Sequence, residues 1–373
     1  MSERHLHIIS FDVPYPPDYG GVIDVYNRIK MLSRKGIKIH LHCYDYGRGQ
    51  QKCLEDLCVE VKYYKRNKPL SSFLSRRPYI MQSRLNEELK IDLLHDDYPI
   101  LCEGFHTAFL AEDKRFARQR LYMRAHNIEH QYYRMLSEAE PVFWKRFFYK
   151  TESRKLENST WILKNIGHVI AISQTDADYF KMFVEDVICV PAFNSFEKVV
   201  SKEGSGDYAL YHGNLSVREN SVAAERLVRN VFPKVNMRCV VAGHNPPQVL
   251  KDLVARVANV SLIENPSDDA MTELIANAHV NVLVTGQPTG MKLKLLNALY
   301  LGRHCLVNSN MLQGTGLGNL CLVADNDDAM VDMLNNYKFN PFTESDITGR
   351  TAVLDKLCSS SAGADKIIEF IRW

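Results

Sequence analysis

Short apolar runs alternate with amphipathic stretches along most of this 373-residue chain. LHIISFDV has the length of a buried strand, PYPPDYGG breaks it, VIDVYNRIKMLSRKG places apolar residues at helical spacing, and IKIHLHCY is a second strand. That order predicts a right-handed βαβ unit. DLLHD, PILCEGF, RLYMRAH and HVIAIS read as further strands with helices between them, and VICVP closes the first half. The pattern restarts at YALYHGN, with a helix near VAAERLVRNVF, then MRCVVAG, NVSLIEN, the helical DAMTELIANAH, VNVLVTG, another helix, HCLVN and LCLVAD. Strands alternating with helices predict parallel, doubly wound sheets, so the chain reads as two Rossmann-like α/β domains. PAFNSFEKVVSKEGSGD is polar, opens at Pro191 and ends near Gly-Ser-Gly, the composition of a linker, which sets the domains at 1–195 and 196–359. The amphipathic AGADKIIEFIRW, a helix over 360–373, follows the end of the second sheet and must dock elsewhere.

Composition narrows the function classes. A net charge of +2 with 46% hydrophobic residues describes a globular protein with ample core and argues against nucleic acid as a partner. Through Asn194 Lys and Arg outnumber Asp and Glu by 29 to 25, and beyond it the balance reverses, so only the first half is basic. The nine cysteines lack zinc-like or disulfide-like spacing, which fits a reducing cytoplasm. No signal peptide opens the chain and no apolar run approaches the ~18 residues that span a bilayer, so any membrane contact is expected to be peripheral. Its expected place is Val61 to Leu85, VKYYKRNKPLSSFLSRRPYIMQSRL, with seven Lys or Arg, no acid, and Tyr63, Tyr64, Phe73, Leu74 and Tyr79 interleaved. A solvated loop-helix face is the plain alternative.

Four segments could carry chemistry. Val282 to Asn308 runs strand, glycine loop, helix, strand, which puts helical amides at Gly290 and Met291 beside Lys292 and Lys294, a place suited to phosphate. An ordinary crossover with two solvated lysines is the alternative. ALYHGNLSVREN takes a strand into Gly213-Asn214, and Gly213, Gly243 and Gly286 all end strands of one domain, so that together they can line a crevice. Gly20 and Gly21, after the first strand, would admit close backbone approach to a ligand. Finally, His126-Asn127-Ile128-Glu129-His130 has the H-x-x-E-H spacing of an inverted zinc-peptidase motif. Such a motif needs both histidines on one helical turn, whereas RLYMRA reads as a strand ending at His126, and no third ligand is evident. The segment is expected to be free of metal.

Taken together, PYPPDYGG before a helix, RAHNIEHQYY, GNLSVREN and GMKLKLLNALYLGRHCLVN resemble the GT-B glycosyltransferases, in particular the retaining family 4 group of bacterial polysaccharide synthesis, over nearly the whole chain. The resemblance implies a GT-B fold with two Rossmann-like domains facing a cleft, the terminal helix crossing back to the first domain. It implies a glycan or lipid-linked acceptor on the first domain, near Gly20, Gly21, Arg124 and Glu129. A nucleotide sugar on the second would meet Gly213, Asn214, Gly243, Glu264, Thr289, Gly290, Met291 and Asn297. Lys292, Lys294 and Arg218 would stabilise the leaving diphosphate, and His126 would sit near the transferred sugar, with no metal and no cofactor required. The chain departs from the family pattern at Asn214 and Glu219, where an arginine and a lysine are usual, and at Thr289 and Asn297, the places of the paired glutamates. A non-catalytic sugar-nucleotide or glycan-binding relative, a sugar epimerase and a zinc peptidase are the rival readings.

Overall fold

The computed structural model describes residues 3–67, 75–286 and 293–373. The chain divides into two compact units, one of residues 1–195 with 358–373 and one of residues 196–357.

Among the described residues, unit 1 carries strands β1 (His5–Ser10), β2 (Lys38–Asp45), β3 (Glu60–Lys65), β4 (Ile100–Glu103), β5 (Leu121–Ala125), β6 (His168–Ala171) and β7 (Asp186–Cys189). They form one sheet in the order β3-β2-β1-β4-β5-β6-β7, with every pairing parallel. Side chains alternate between two buried layers: Ile9, Ile100, Cys102, Met123 and Val169 enter one, while Ile8, Leu101, Tyr122 and Ile170 enter the other. A sheet covered on both faces needs such continuous apolar runs, and their completion by helices is what makes the unit stable. The Ser360–Phe370 helix joins the second layer through Ala364 and Ile367 against the Gly20–Arg34 helix. Its Gly363 lies so close to Val190 and Phe193 that a side-chain carbon would stand 3.1 Å from Val190 Cγ1.

Two readings of unit 1 change. DLLHD is not a strand but the end of a helix, Glu87–Leu93, because Asn86 caps it by accepting from the Leu89 amide at 3.0 Å, and Leu89 and Leu93 form a buried face with a period of four. The basic segment from Val61 begins as edge strand β3, and the fold uses several of its charges. Lys62 pairs with Asp92 at 2.8 Å, Arg77 pairs with Glu112 at 2.6 Å, and Arg66 lies over the rings of Tyr46 and Tyr79 while its Nε donates to Ser83. Phe73 and Leu74 lie outside the described residues.

Unit 2 carries β8 (Tyr208–His212), β9 (Arg238–Gly243), β10 (Val260–Glu264), β11 (Val280–Leu283), β12 (His304–Val307) and β13 (Leu322–Val323) in the order β10-β9-β8-β11-β12-β13, again all parallel. Both sheets therefore reverse direction of growth once, beside β1 and β4 in unit 1 and beside β8 and β11 in unit 2. Ligands of open parallel sheets bind outside the strand ends at that reversal. Much of the polar stretch 191–207 is laced into its neighbours rather than free: Val200 N donates to Tyr300 O at 2.8 Å, Ser201 Oγ to Gly302 O at 2.6 Å, and Gly206 N to His279 Nδ1 at 3.2 Å.

Candidate active site

At the reversal of unit 1 the structure assembles a buried charge network from residues up to a hundred positions apart. Asp24 and Arg28 lie one turn apart on the first helix, Glu103 ends β4, and Arg124 lies on β5, with His126 just beyond it. Arg28 Nη1 donates to Asp24 at 2.6 Å and Arg28 Nη2 to Glu103. Arg124 reaches the other side of Asp24 at 3.0 and 3.1 Å and donates to the carbonyls of Val190 and Pro191, while the Phe193 amide donates to Asp24 at 2.7 Å. Burial alone would push the Asp24 carboxyl up, but the guanidinium charges of Arg124 and Arg28 outweigh it and hold it well below the usual carboxylate range.

This network corrects two expectations. Arg124 is fully enclosed and cannot touch an acceptor; it ties β5 to the first helix and to the chain leaving β7. His126 Nε2 must carry the proton it shares with Glu103 at 2.9 Å, since a carboxylate only accepts, and Nδ1 lies sealed 3.8 Å from Asp24. Neither ring nitrogen is turned outward, against the expectation that His126 meets the transferred sugar. Asp24, Glu103 and His126 could each place a ligand atom within 4.8 Å of one another, the spacing of a metal site. Two guanidinium groups already pair with the two carboxylates, so the network is charge-balanced as it stands. Of the H-x-x-E-H residues, His126 precedes the Glu129–Ala139 helix, whereas His130 lies on it and packs against Tyr179.

Glu129, expected near the acceptor, lines instead a cavity of about 20 Å³ bounded by Phe105, Met123, Leu156 and Phe180, room for one water. Burial pushes its carboxyl up to about 7, with Arg84 opposing. Below its ordinary value of 4.5 the group is neutral whether folded or not; above 7 the fold must bury a charge. Glu129→Gln is therefore expected to melt higher than the parent at pH 8 and together with it at pH 4. Identical melting at pH 8 would show that the carboxylate is well solvated.

Gly20 and Gly21 open the first helix rather than precede it, and a side-chain carbon at Gly21 would stand 2.6 Å from the Phe11 ring, so Gly21 is required by packing. The loop between β1 and the first helix is held by residues the motifs did not reveal. Arg48 grips the proline-rich loop, donating to Pro16 O and Asp18, each at 2.6 Å, and pairing with Asp12 at 3.2 Å, while Tyr19 donates to Asp12 at 2.9 Å. Asp45 fixes the separate loop that carries Arg48, accepting from the amides of Gly47, Arg48 and Gly49 at 2.9 to 3.1 Å. The D-x-G-x-G spacing of Asp45, Gly47 and Gly49 was the signal that could have found it.

At the reversal of unit 2, Lys294 on the Leu293–Leu301 helix folds back across the ends of β8 and β11. Its Nζ donates to Asn220 Oδ1 at 3.1 Å and Val284 O at 3.4 Å and lies 5.7 Å from the Tyr211 ring centre. Burial lowers its pKa and the Glu219 carboxylate opposes the shift. Glu219, at the family's lysine position, accepts from Thr285 Oγ1, and Asn308 brackets Thr285 through both backbone groups at 3.1 and 2.8 Å. Asn214 shapes the loop by accepting from Ser216, and its carbonyl accepts from Asn220 at 2.9 Å. At Gly243 a side-chain carbon would stand 1.9 Å from the Gly213 carbonyl, so the close approach of β8 and β9 demands that glycine. Arg350 holds the far end of the Leu293–Leu301 helix, donating to Leu299 O and Gly302 O, where a cation also suits the helix dipole.

The structure thus brings Lys294, Asn220, Glu219 and Thr285 together, with Asn297 one turn along the same helix face. It does not bring Arg218 or Glu264 to them. Arg218 is exposed and pairs with Glu225 at 3.5 Å, and Glu264, on β10 two strands from β8, pairs with Lys251. Thr289, Gly290, Met291 and Lys292 lie outside the described residues.

Two all-parallel sheets of this order define a GT-B fold, and solved structures of that fold match the chain over its length. It is similar to a sucrose-phosphate synthase from Thermosynechococcus elongatus, 14% identical with a TM-score of 0.70 over 98% of each chain. It is also similar to Anabaena HepE, solved with UDP and glucose, 12% identical with a TM-score of 0.63 over 98% of each chain. By sequence it resembles an uncharacterized 44.6 kDa protein in the cps region of Klebsiella pneumoniae, 23% identical over 89% of this chain and 90% of that one. No protein-family model matches the chain.

Proposed function

We propose that this protein is a glycosyltransferase that moves a sugar from a nucleotide-sugar donor to a glycan or lipid-linked acceptor in cell-surface polysaccharide synthesis, with retention. The observation that carries this reading is Lys294, a cation held by Asn220 and Val284 at the strand-order reversal of unit 2, where a parallel sheet binds its ligand. The fold shared with HepE, whose structure contains UDP and glucose, and the cps-region relative support the substrate class.

In this reading unit 2 holds the donor, its diphosphate against Lys294 and the Gly213-Asn214 loop. As the glycosidic bond breaks, charge grows on the diphosphate, and a fixed cation stabilises that state more than the bound donor. The acceptor hydroxyl attacks the face the diphosphate leaves and gives its proton to the departing diphosphate oxygen, without a covalent enzyme intermediate. Asn297 offers a neutral hydrogen bond where the family's glutamate would accept one. Unit 1 would hold the acceptor on the Arg48-braced loop, with His126 and the Asp24 network keeping that surface in place.

A thermal-shift panel of UDP, GDP, ADP and CMP tests the donor half. A nucleotide at about 100 times its dissociation constant stabilises by roughly 2.7 kcal/mol. One of the four is expected to raise the melting temperature clearly, and no shift with any at millimolar concentration removes the reading. Binding without transfer of labelled sugar to any acceptor would favour the non-catalytic relative.

A further inference from the structure

The Phe143–Asn158 helix begins with large aromatic side chains in solvent: Phe143 is 79% exposed, Trp144 67% and Phe147 65%, with the exposed Val142 just before them. Single exposed apolar residues are ordinary, but three aromatics within five residues form a patch that calls for a partner. Phe143 and Phe147, four apart, share one face.

The patch sits among cations. Residues 141–151 contain Lys145, Arg146 and Lys150 and no acid. Arg146 and Lys150, with Arg154 one turn on and Arg134 from the Glu129–Ala139 helix, line a groove of about 560 Å³. Four cations there face two acids, Glu138 and Glu157; Glu157 is engaged by Arg134 at 3.4 Å, and among the described residues no acid pairs with Lys150 or Arg154.

This combination selects the partner. A subunit interface also takes aromatics and arginine, but its core is depleted of charge and of lysine in particular, and Lys145 and Lys150 flank the rings here. A bilayer surface wants the reverse: aromatic rings at headgroup level with lysine and arginine against lipid phosphates. We propose that this end of the helix docks unit 1 on an anionic phospholipid bilayer. Phe143, Trp144 and Phe147 enter the boundary between headgroups and acyl chains, and Lys145, Arg146, Lys150 and Arg154 meet the phosphates. The inference stands apart from the sugar-transfer reading, although a surface-bound acceptor would be presented there.

Vesicles of phosphatidylglycerol mixed with phosphatidylcholine are pelleted with the full chain, and vesicles of phosphatidylcholine alone serve as the comparison. The parent is expected to partition more than tenfold better to the anionic vesicles. The variants Lys145→Glu/Arg146→Glu/Lys150→Glu and Phe143→Ser/Trp144→Ser/Phe147→Ser should each lose more than tenfold, since one cation near such a surface contributes about fivefold. Melting temperature and nucleotide shift should stay parental, because these side chains are exposed. As a contrast, Lys65→Glu/Arg76→Glu, in the other basic segment, should keep its binding. Parental partitioning by either helix variant overturns the proposal, as does loss of binding confined to the Lys65 and Arg76 variant. A parent that ignores vesicles but forms a dimer in sedimentation velocity, made monomeric by the aromatic variant, assigns the patch to a second copy of the chain instead.

Discussion

Asp24→Ala is expected to destabilise unit 1 by about 3 to 5 kcal/mol, because it leaves two buried guanidinium groups with Glu103 as the one remaining carboxylate of the network. The loss is larger than that of a surface ion pair, for neither Arg28 nor Arg124 can turn to water. It also frees the Phe193 amide, and with it the segment 190–193 that Arg124 pins through two carbonyls. Denaturant unfolding of the full chain should show the early transition moving while the melting of unit 2 holds. The pH dependence has a definite sign. The Asp24 carboxyl is held below its unfolded value of ~3.9, so its contribution is whole above that pH and fades as the medium is made more acid. The gap between parent and variant should therefore be flat from pH 5 to 8 and narrow below 4. A loss under about 1 kcal/mol at pH 7 would mean that the two arginines find other partners and that the network does not organise the sheet edge.

Lys294→Ala is expected to lower kcat by about a hundredfold while changing the donor KM little, the pattern of a group that acts on the charge formed as the bond breaks. The arrangement favours this outcome over a packing role alone. Nζ already has two acceptors, Asn220 Oδ1 and Val284 O, that fix its position without neutralising its charge. The nearby carboxylate, Glu219, is itself engaged by Thr285. A purely structural lysine would on removal lower the melting temperature and move kcat and KM together. Near-parental turnover in Lys294→Ala with activity abolished in Arg218→Ala would place the charge stabilisation on the GNLSVREN loop and sink the assignment.

Much of the architecture could be read directly from the chain. β1, β4, β5, β8, β9 and β11 are buried on both faces, so they are written as mainly apolar runs, and their alternation with amphipathic helices specifies parallel sheets. Elements at the margins were less legible. β3 is an edge strand, half exposed and full of lysine and tyrosine, and it reads as a basic loop. DLLHD has the composition of a short strand, and only the Asn86 cap shows that a helix has already begun before it.

The site divides in the same way. Its location at strand ends followed from glycine-ended runs such as Ala209 to Asn214, because local chain geometry requires glycine where β8 and β9 converge. Which side chains meet there did not follow. Asp24, Arg28, Glu103, Arg124 and His126 sit in three separate segments, and Arg124 and His126 looked ligand-facing because their motif falls at a strand's carboxyl end. The sequence by itself determined the strands, the helices and the end of each sheet where chemistry would gather, since these depend on hydrophobic periodicity and local backbone demands. Only the tertiary structure decided that Arg124 is sealed beneath the surface, that Lys294 turns onto Asn220 and that Phe143, Trp144 and Phe147 face water. Each of those outcomes depends on which distant segments pack against the residue and exclude solvent from it, and no local pattern encodes that.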